Sequence, residues 1–344
     1  NIADIIDSDL ARSGFFKVLP DQDMLTRPTD AGQIRFRNWQ ALGQDYLVIG
    51  QIEEFGGKYN LQFQLFDVYK GEQLQGFRFS GITQSNLRST AHHISDIIYE
   101  KLTGNQGVFG TRIAYVTSAK NSDNKKIYKL QVADADGYNP KTIASSSEPL
   151  MSPAWSPDGK KIAYVSFEQK KAAIYVQTLA TGQRVKVASY PGINGAPRWS
   201  PDGTSLALTL SKGGSPDIYI LNLSDKSLRR LTKNYAIDTE PVWSPDGQSI
   251  VFTSDRGGRP QLYTVPIYGG SAKRLTFVGD YNARGVFSPD GKYLAMVHAN
   301  GGDYRIAVMD MDSRTVNVLT AGKSDESPGF SPNGSMIIYA SRKG

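Results

Sequence analysis

The chain has 344 residues, of which 39% are hydrophobic, and 39 basic and 33 acidic residues give a formal net charge of +6. This length accommodates one large domain and a smaller one, and the mixed charges, without a basic cluster interleaved with aromatics, argue against a nucleic-acid partner. No apolar run approaches the length of a membrane span, so we do not expect a membrane-spanning chain. Cysteine is absent, which is compatible with both an oxidising compartment and the cytosol.

The first hundred residues predict a small α/β domain over residues 1–104. Gly104 ends its last helix, and residues 105–110 are interpreted as a linker. The sequence starts at Asn1 without a visible signal sequence, so we expect either a removed leader or a longer parent chain. Apolar residues at helical spacing predict helices over residues 2–12, 34–42 and 83–102. Alternating apolar and polar residues predict strands over residues 46–52, 59–66 and 73–80.

Residues 111–344 contain five copies of one short motif, an aromatic residue followed by Ser-Pro-Asp-Gly or Ser-Pro-Asn-Gly. The intervals between successive aromatics are 44, 44, 44 and 43 residues, the length of a four-stranded propeller blade. Recurring Pro and Gly and the alternating segments between them exclude a helical solenoid. The motif therefore predicts an all-β, WD40-like β-propeller in which the aromatic, ending each inner strand, is a core residue: Trp155, Trp199, Trp243, Phe287 and Phe330.

The number of strands favours six blades. Each complete repeat has strands A to D from the channel outwards, whereas the first repeat lacks strand A and the last has only A and B. Open sheet edges are unfavourable in a propeller, so we expect the last blade to be completed by about forty residues outside this sequence. The alternative is a five-bladed ring that leaves the segment after Phe330 as a spare strand.

The positions just before each inner strand differ from blade to blade, whereas the rest of the repeat is regular. Because the loops joining strand D to the next strand A must ring one mouth of the channel, they suit a recognition surface on a rigid frame. Ordinary variable loops are the alternative. Five residues before each aromatic stand Leu150, Asn194, Asp238, Asn282 and Asp325, and three residues before it stand Ser152, Ala196, Glu240, Arg284 and Ser327.

Several acidic residues are expected at the same mouth. Carboxylates that converge on a polar channel can hold Ca²⁺ through their oxygens, although a solvated, mutually repelling set is the alternative. The sequence therefore allows Ca²⁺ at the channel mouth but requires no cofactor. The candidate ligands are Glu148, Asp238, Glu240, Asp325 and Glu326.

No arrangement of residues typical of an enzyme is found. The three histidines, His92, His93 and His298, are not spaced to share a metal, and neither a Gly-x-Ser-x-Gly motif nor a cysteine nucleophile occurs. A propeller enzyme such as a polysaccharide lyase acting in the central channel remains the alternative function, and a peptidase would need a hydrolase domain as well.

The order of motifs resembles the TolB family, the periplasmic propeller proteins of the bacterial Tol–Pal envelope system. Tyr99-Glu-Lys-Leu-Thr-Gly104 precedes Thr111-Arg-Ile-Ala-Tyr-Val116, and the later segments Asn194-Gly-Ala-Pro197, Thr239-Glu-Pro241 and Thr253-Ser-Asp-Arg-Gly-Gly-Arg-Pro260 follow in order. The Trp-Ser-Pro-Asp-Gly repeat alone is shared with many propellers, but the combination covers essentially the whole chain.

The resemblance implies a monomeric, non-enzymatic adaptor that supports outer-membrane integrity and cell division. It implies that the lipoprotein Pal docks at the propeller mouth, that bacteriocin translocation domains use the same mouth, and that TolA binds an N-terminal segment expected to precede Asn1. Ile193 stands where relatives carry a polar or charged residue. The positions that match the family's Pal-binding motifs are Asn194, Gly195, Ala196, Thr239 and Glu240.

Overall fold

The computed structural model describes residues 1–342 and divides the chain into two compact units, residues 1–111 and a second unit that begins at Arg112. The division falls at the end of the predicted linker. The last two residues of the predicted propeller lie outside the described residues. Among the described residues, no helix is both long and apolar enough to cross a membrane.

The N-terminal unit consists of three helices and one antiparallel sheet with the strand order β1-β2-β3. The first helix has its predicted bounds, the second is three residues shorter than predicted, and the third begins later because a three-residue 3-10 turn occupies residues 84–86. Gly104 ends α3 with a φ of +75°, as a left-handed cap requires. The elements are α1 (Ile2–Arg12), α2 (Phe36–Ala41), β1 (Tyr46–Phe55), β2 (Lys58–Asp67), β3 (Glu72–Ile82) and α3 (Leu87–Thr103).

One face of β2 supplies the main core of this unit. Leu61, Phe63 and Leu65 alternate along the strand and pack against Ile94 and Ile98 of α3. The residues of the predicted linker are held on the same helix, because the Asp96 carboxylate accepts hydrogen bonds from the backbone N–H groups of Phe109 (2.6 Å) and Gly110 (3.2 Å).

The second unit contains six antiparallel sheets that follow one another along the chain, the six blades of a propeller. The first has three strands, the next four have four strands each, and the sixth has two within the described residues. The predicted strand assignment is therefore confirmed. Blade 1 consists of β4 (Arg112–Lys120), β5 (Lys126–Asp134) and β6 (Lys141–Ser146). Blade 2 consists of β7 (Leu150–Trp155), β8 (Lys161–Ser166), β9 (Ala173–Thr178) and β10 (Arg184–Ala188). Blade 3 consists of β11 (Asn194–Trp199), β12 (Ser205–Gly213), β13 (Ser215–Asn222) and β14 (Leu228–Arg230).

Blades 4 to 6 repeat the same order, with the inner strand first in sequence. Blade 4 consists of β15 (Asp238–Trp243), β16 (Ser249–Ser254), β17 (Gln261–Pro266) and β18 (Lys273–Arg274). Blade 5 consists of β19 (Tyr281–Phe287), β20 (Tyr293–Ala299), β21 (Arg305–Asp310) and β22 (Val316–Val318). Blade 6 consists of β23 (Asp325–Phe330) and β24 (Ile337–Ser341).

Adjacent blades are joined by the repeat aromatics. Trp199 and Trp243 are buried, and each indole Nε1 donates a hydrogen bond to a carbonyl oxygen in the inner strand of the preceding blade, Ala154 at 3.1 Å and Arg198 at 3.2 Å. Trp155, Phe287 and Phe330 are only half-buried. The aromatics of blades 3 and 4 therefore join each blade to the preceding one, and the prediction that all five are core residues holds fully for these two only.

The Ser-Pro-Asp-Gly segments form identical turns between the first two strands of each complete blade. In the turn of blade 2, the Ser156 hydroxyl donates to Asp158 (2.6 Å) and accepts the N–H of Lys161 (2.9 Å), while Gly159 has a φ of +66°. Successive turns lie side by side: Gly203 in the turn of blade 3 is so near Pro157 in the turn of blade 2 that a Cβ atom added to the glycine would be 3.7 Å from the proline ring. These turns form the end of the propeller opposite the mouth.

Candidate partner-binding site at the propeller mouth

Every inner strand has a β-bulge at the position three residues before its aromatic. The pairing register with the second strand shifts there in all five blades that contain an inner strand. The residue at this position has a positive φ although it is not glycine, an unfavourable conformation that is concentrated at functional sites in proteins. The five residues are Ser152 (φ 51°), Ala196 (46°), Glu240 (53°), Arg284 (56°) and Ser327 (57°).

Three of these bulge residues meet across blade boundaries. The Arg284 guanidinium lies 2.7 Å from Glu240 through Nε and 3.0 Å from Glu326 through a terminal nitrogen, which also donates to the Ser327 hydroxyl at 2.9 Å. Blades 4, 5 and 6 are thus linked by one half-exposed arginine. We call Glu240, Arg284, Glu326 and Ser327 the ionic cluster.

The second strands support the ionic cluster from behind. The Thr209 hydroxyl accepts the backbone N–H of Glu240 (3.2 Å), and the Thr253 hydroxyl accepts that of Arg284 (3.1 Å) while donating to the Glu240 carboxylate (3.2 Å). The left-handed backbone is therefore held by side chains of the preceding blade. Burial is the main cause that lowers the pKa of Arg198. The negative charge of Glu240 opposes this shift, and the positive charge of Arg284 adds to it.

The residues five positions before the aromatic do not face the mouth, contrary to the expectation from the sequence. Each is the first or second residue of an inner strand, and its side chain turns into the blade, so it is not available to a partner. We therefore correct their role from partner contact to structural support. Leu150, Asn194, Asp238, Asn282 and Asp325 are all at most 3% exposed.

Buried amides among them fasten the loops that lead into the inner strands. Asn194 donates to the carbonyl oxygens of Tyr190 (2.7 Å) and Gly192 (3.1 Å) and accepts the N–H of Tyr190 (2.8 Å). Asn282 donates to the carbonyl of Val278 (2.8 Å) and interacts with Nδ1 of His298 (2.8 Å). Burial lowers the pKa of His298, which is consistent with a structural histidine.

The five candidate calcium ligands are not gathered into one site. Asp238 is fully buried and receives two hydrogen bonds from Arg256 (2.9 and 2.7 Å), Glu148 pairs with Lys170, and Glu240 and Glu326 pair with Arg284. Among the described residues, none of the five belongs to a set of three or more ligand groups with atoms within 4.8 Å. Neighbouring cations balance the charges of the four paired carboxylates, whereas the fifth, Asp325, is buried without an ion pair among the described residues. Ca²⁺ binding at the mouth stays a prediction of the sequence.

The structure adds a feature that the sequence analysis missed: exposed apolar side chains on the loops at this mouth. Tyr235 is fully exposed, Phe277 is 72% exposed, and Ile193, Ile237 and Val278 are about half exposed. All five lie between the last strand of one blade and the first strand of the next. Large apolar residues in predicted turns were the available signal. We call these five residues the apolar arc.

The predicted site residues therefore separate into two groups. Glu240, Arg284 and Ser327 come together in the ionic cluster with Glu326. The remaining mouth residues are partly exposed and lie at the start of inner strands: Ser152, Gly195, Ala196 and Thr239. The mouth therefore combines a fixed polar cluster with exposed apolar side chains, and protein–protein interfaces use both kinds of group.

Two family profiles match the chain. The profile described as the TolB amino-terminal domain matches residues 1–74, and that of the TolB beta propeller domain matches residues 99–344.

Similar proteins match over the whole chain. The Tol-Pal system protein TolB of Methylococcus capsulatus is 67% identical over 100% of this chain and 81% of its own length, and that of Nitrosococcus oceani is 64% identical over 99% and 78%. The crystal structure of TolB from Acinetobacter baumannii superimposes with a TM-score of 0.93 at 46% identity, covering 100% of this chain and 86% of the other.

Proposed function

The chain belongs to the TolB family, a non-enzymatic component of the Tol–Pal system of the cell envelope, and on this premise we propose that it is a periplasmic adaptor that binds Pal at its propeller mouth. In this role it couples Pal to TolA, supports outer-membrane integrity and cell division, and offers the same mouth to bacteriocin translocation domains.

One observation carries the proposal: the repeated left-handed bulge at the mouth. Five blades keep a non-glycine residue in an unfavourable conformation at equivalent positions, and three of these residues build a cluster across blades. A strained backbone persists only where the surrounding structure enforces it, and it is commonly retained for a function at that place. Because the bulge residues differ in chemistry, they present a surface that only a complementary protein would match.

The test is isothermal titration of the chain with the periplasmic domain of Pal from the same organism. We expect saturable one-to-one binding that Ala196→Asp and Thr239→Arg weaken by at least about tenfold, since each places a charge on the rim of the mouth. Both residues are half-buried, so circular dichroism should first establish that each variant is folded.

The matched control is Lys226→Asp. Lys226 also has a positive φ (61°), but it lies in the turn between the third and fourth strands of blade 3, away from the mouth. The control should bind Pal as the unmodified chain does. Absence of binding by the unmodified chain would refute the adaptor proposal, and equal weakening by the control would move the site away from the mouth.

A further inference from the structure

The apolar arc lies on loops that are braced on both sides. In the loop before blade 4, Asn234 donates its N–H to Asp217 (3.2 Å), and Ile237 donates its N–H to Asp255 (2.8 Å). Asp217 is fully buried and also forms an ion pair with Arg230. Tyr235 projects between these two attachment points with no side-chain burial of its own.

The neighbouring loops are braced in the same way. Ile193 donates its N–H to the Ser211 hydroxyl (2.7 Å), beside the three hydrogen bonds of Asn194. In the loop before blade 5, Thr276 is buried and donates to Gln261 (2.7 Å), while Asn282 holds the Val278 carbonyl. Phe277 lies between these two points, with Arg274 5.0 Å from its ring centre.

Rigid loops with exposed aromatic tips lose little conformational entropy when a partner covers them. In many protein interfaces a few residues supply most of the binding free energy, and tyrosine is one of the residue types enriched among them. A small polar ligand would gain nothing from these projecting apolar tips. Projecting tips instead require a partner that supplies the pockets, which a folded protein domain can do.

We propose that the apolar arc, with Tyr235 and Phe277 as its anchors, is the main energetic contact for Pal, and that the ionic cluster sets the register. This inference rests on the proposed function. The Pal surface that covers the arc must carry apolar recesses. The affinity should depend only weakly on salt, because exposed ion pairs contribute little and are screened, whereas apolar burial is not.

The decisive experiment compares Tyr235→Ser and Phe277→Ser with Tyr268→Ser in titrations of the full chain with the Pal periplasmic domain. Tyr268 is the matched control, because it is 87% exposed and lies in a turn between the third and fourth strands of blade 4, away from the mouth. We expect each arc variant to weaken binding at least about tenfold and the control to change it less than about twofold. All three positions are exposed, so all three variants should fold.

The outcomes separate the two proposals. If the unmodified chain fails to bind Pal, both the proposed function and this inference are refuted. If it binds but the two arc variants bind equally well, or if affinity falls more than about tenfold between 50 and 300 mM salt, only the inference is refuted. Sedimentation that reveals a dimer of this chain, lost in Tyr235→Ser while Pal binding is kept, would assign the arc to a second copy and would also refute it.

Discussion

At the scale of single residues, the unusual feature is a left-handed, non-glycine residue in every inner strand. The identities at this position, Ser, Ala, Glu, Arg and Ser, include no β-branched residue, which is the type that tolerates positive φ least. The bulge places each of these residues at the mouth, and the ionic cluster follows from it. Local strain and candidate function coincide at the same five positions.

Ala196 tests this strain directly. Its φ is 46°, so Ala196→Gly should raise the free energy of unfolding by about 0.5–1 kcal/mol, whereas Ala196→Val should lower it. Thermal or urea unfolding measures both changes. The same Ala→Gly change at buried Ala163, in the middle of β8 and without a positive φ, serves as the control and should be destabilising. Destabilisation by Ala196→Gly would mean that the backbone there is not strained.

At the scale of elements, the repeat motif does two separate jobs. Its aromatic residue joins a blade to the preceding one, and its Ser-Pro-Asp-Gly turn closes the first hairpin. The turns depend on a hydrogen bond between a serine hydroxyl and a carboxylate or amide. Asn333 accepts from Ser331 at 2.8 Å in the last repeat, so a neutral amide can take the same place.

Trp243→Ala should reduce the free energy of unfolding of the propeller by about 3–5 kcal/mol, since it removes a buried indole and its hydrogen bond to Arg198. Trp243→Phe is the control, because phenylalanine occupies this position in blades 5 and 6. Trp243→Phe should lower the free energy of unfolding far less than Trp243→Ala does. Unfolding followed by far-ultraviolet circular dichroism, which reports on the strands rather than on the tryptophan, measures both changes in free energy. Similar losses of stability in the two variants would contradict a role of Trp243 in core packing.

The aspartate carboxylates of the Ser-Pro-Asp-Gly turns should make the stability of the fold depend on pH. Hydrogen bonds from the neighbouring serine lower the pKa of Asp158, Asp202, Asp246 and Asp290 below the usual value of 3.8. A carboxyl group whose pKa is lower in the folded state stabilises the fold above its unfolded pKa, and this contribution disappears as pH falls through the folded pKa. Stability should therefore decline below about pH 4.

Asp246→Asn should make that decline shallower and leave the fold intact at neutral pH, as Asn333 does in blade 6. Melting temperatures from pH 2 to pH 7 provide the measurement. A variant whose profile runs parallel to that of the unmodified chain would show that the turn carboxylates are not responsible for the acid sensitivity.

At the scale of the whole molecule, the ionic cluster connects three consecutive blades through one side chain. Two carboxylates approach Arg284 from blades 4 and 6, so removing the guanidinium takes away the cation that pairs with both of them. Contacts of this kind link distant parts of the sequence and contribute to the stability of the ring rather than of one blade.

Arg284→Gln should lower the free energy of unfolding by about 1–2 kcal/mol at low salt and by less at high salt, since the arginine is half exposed and its ion pairs are screened. The control is Arg259→Gln, which removes a single exposed pair with Asp280 (2.7 Å) and should change stability by less than about 0.5 kcal/mol. Equal effects at 50 and 500 mM salt would rule out an electrostatic origin.

The sequence determined the architecture, because a 44-residue period, a turn motif of fixed backbone geometry and alternating strands each allow few solutions. It also identified the end of the propeller where the blades differ. It could not separate Asn282, buried within the blade, from Arg284, half-exposed at the mouth, since the direction of the Arg284 side chain depends on the bulge at that residue, which only the pairing of the strands reveals. The charge balance of Asp238 likewise depends on Arg256, in the loop between β16 and β17, and the bracing of the loop that carries Tyr235 depends on Asp217 of β13. Only tertiary structure brings such partners together, because the pairing of strands, not their distance along the chain, decides which side chains touch.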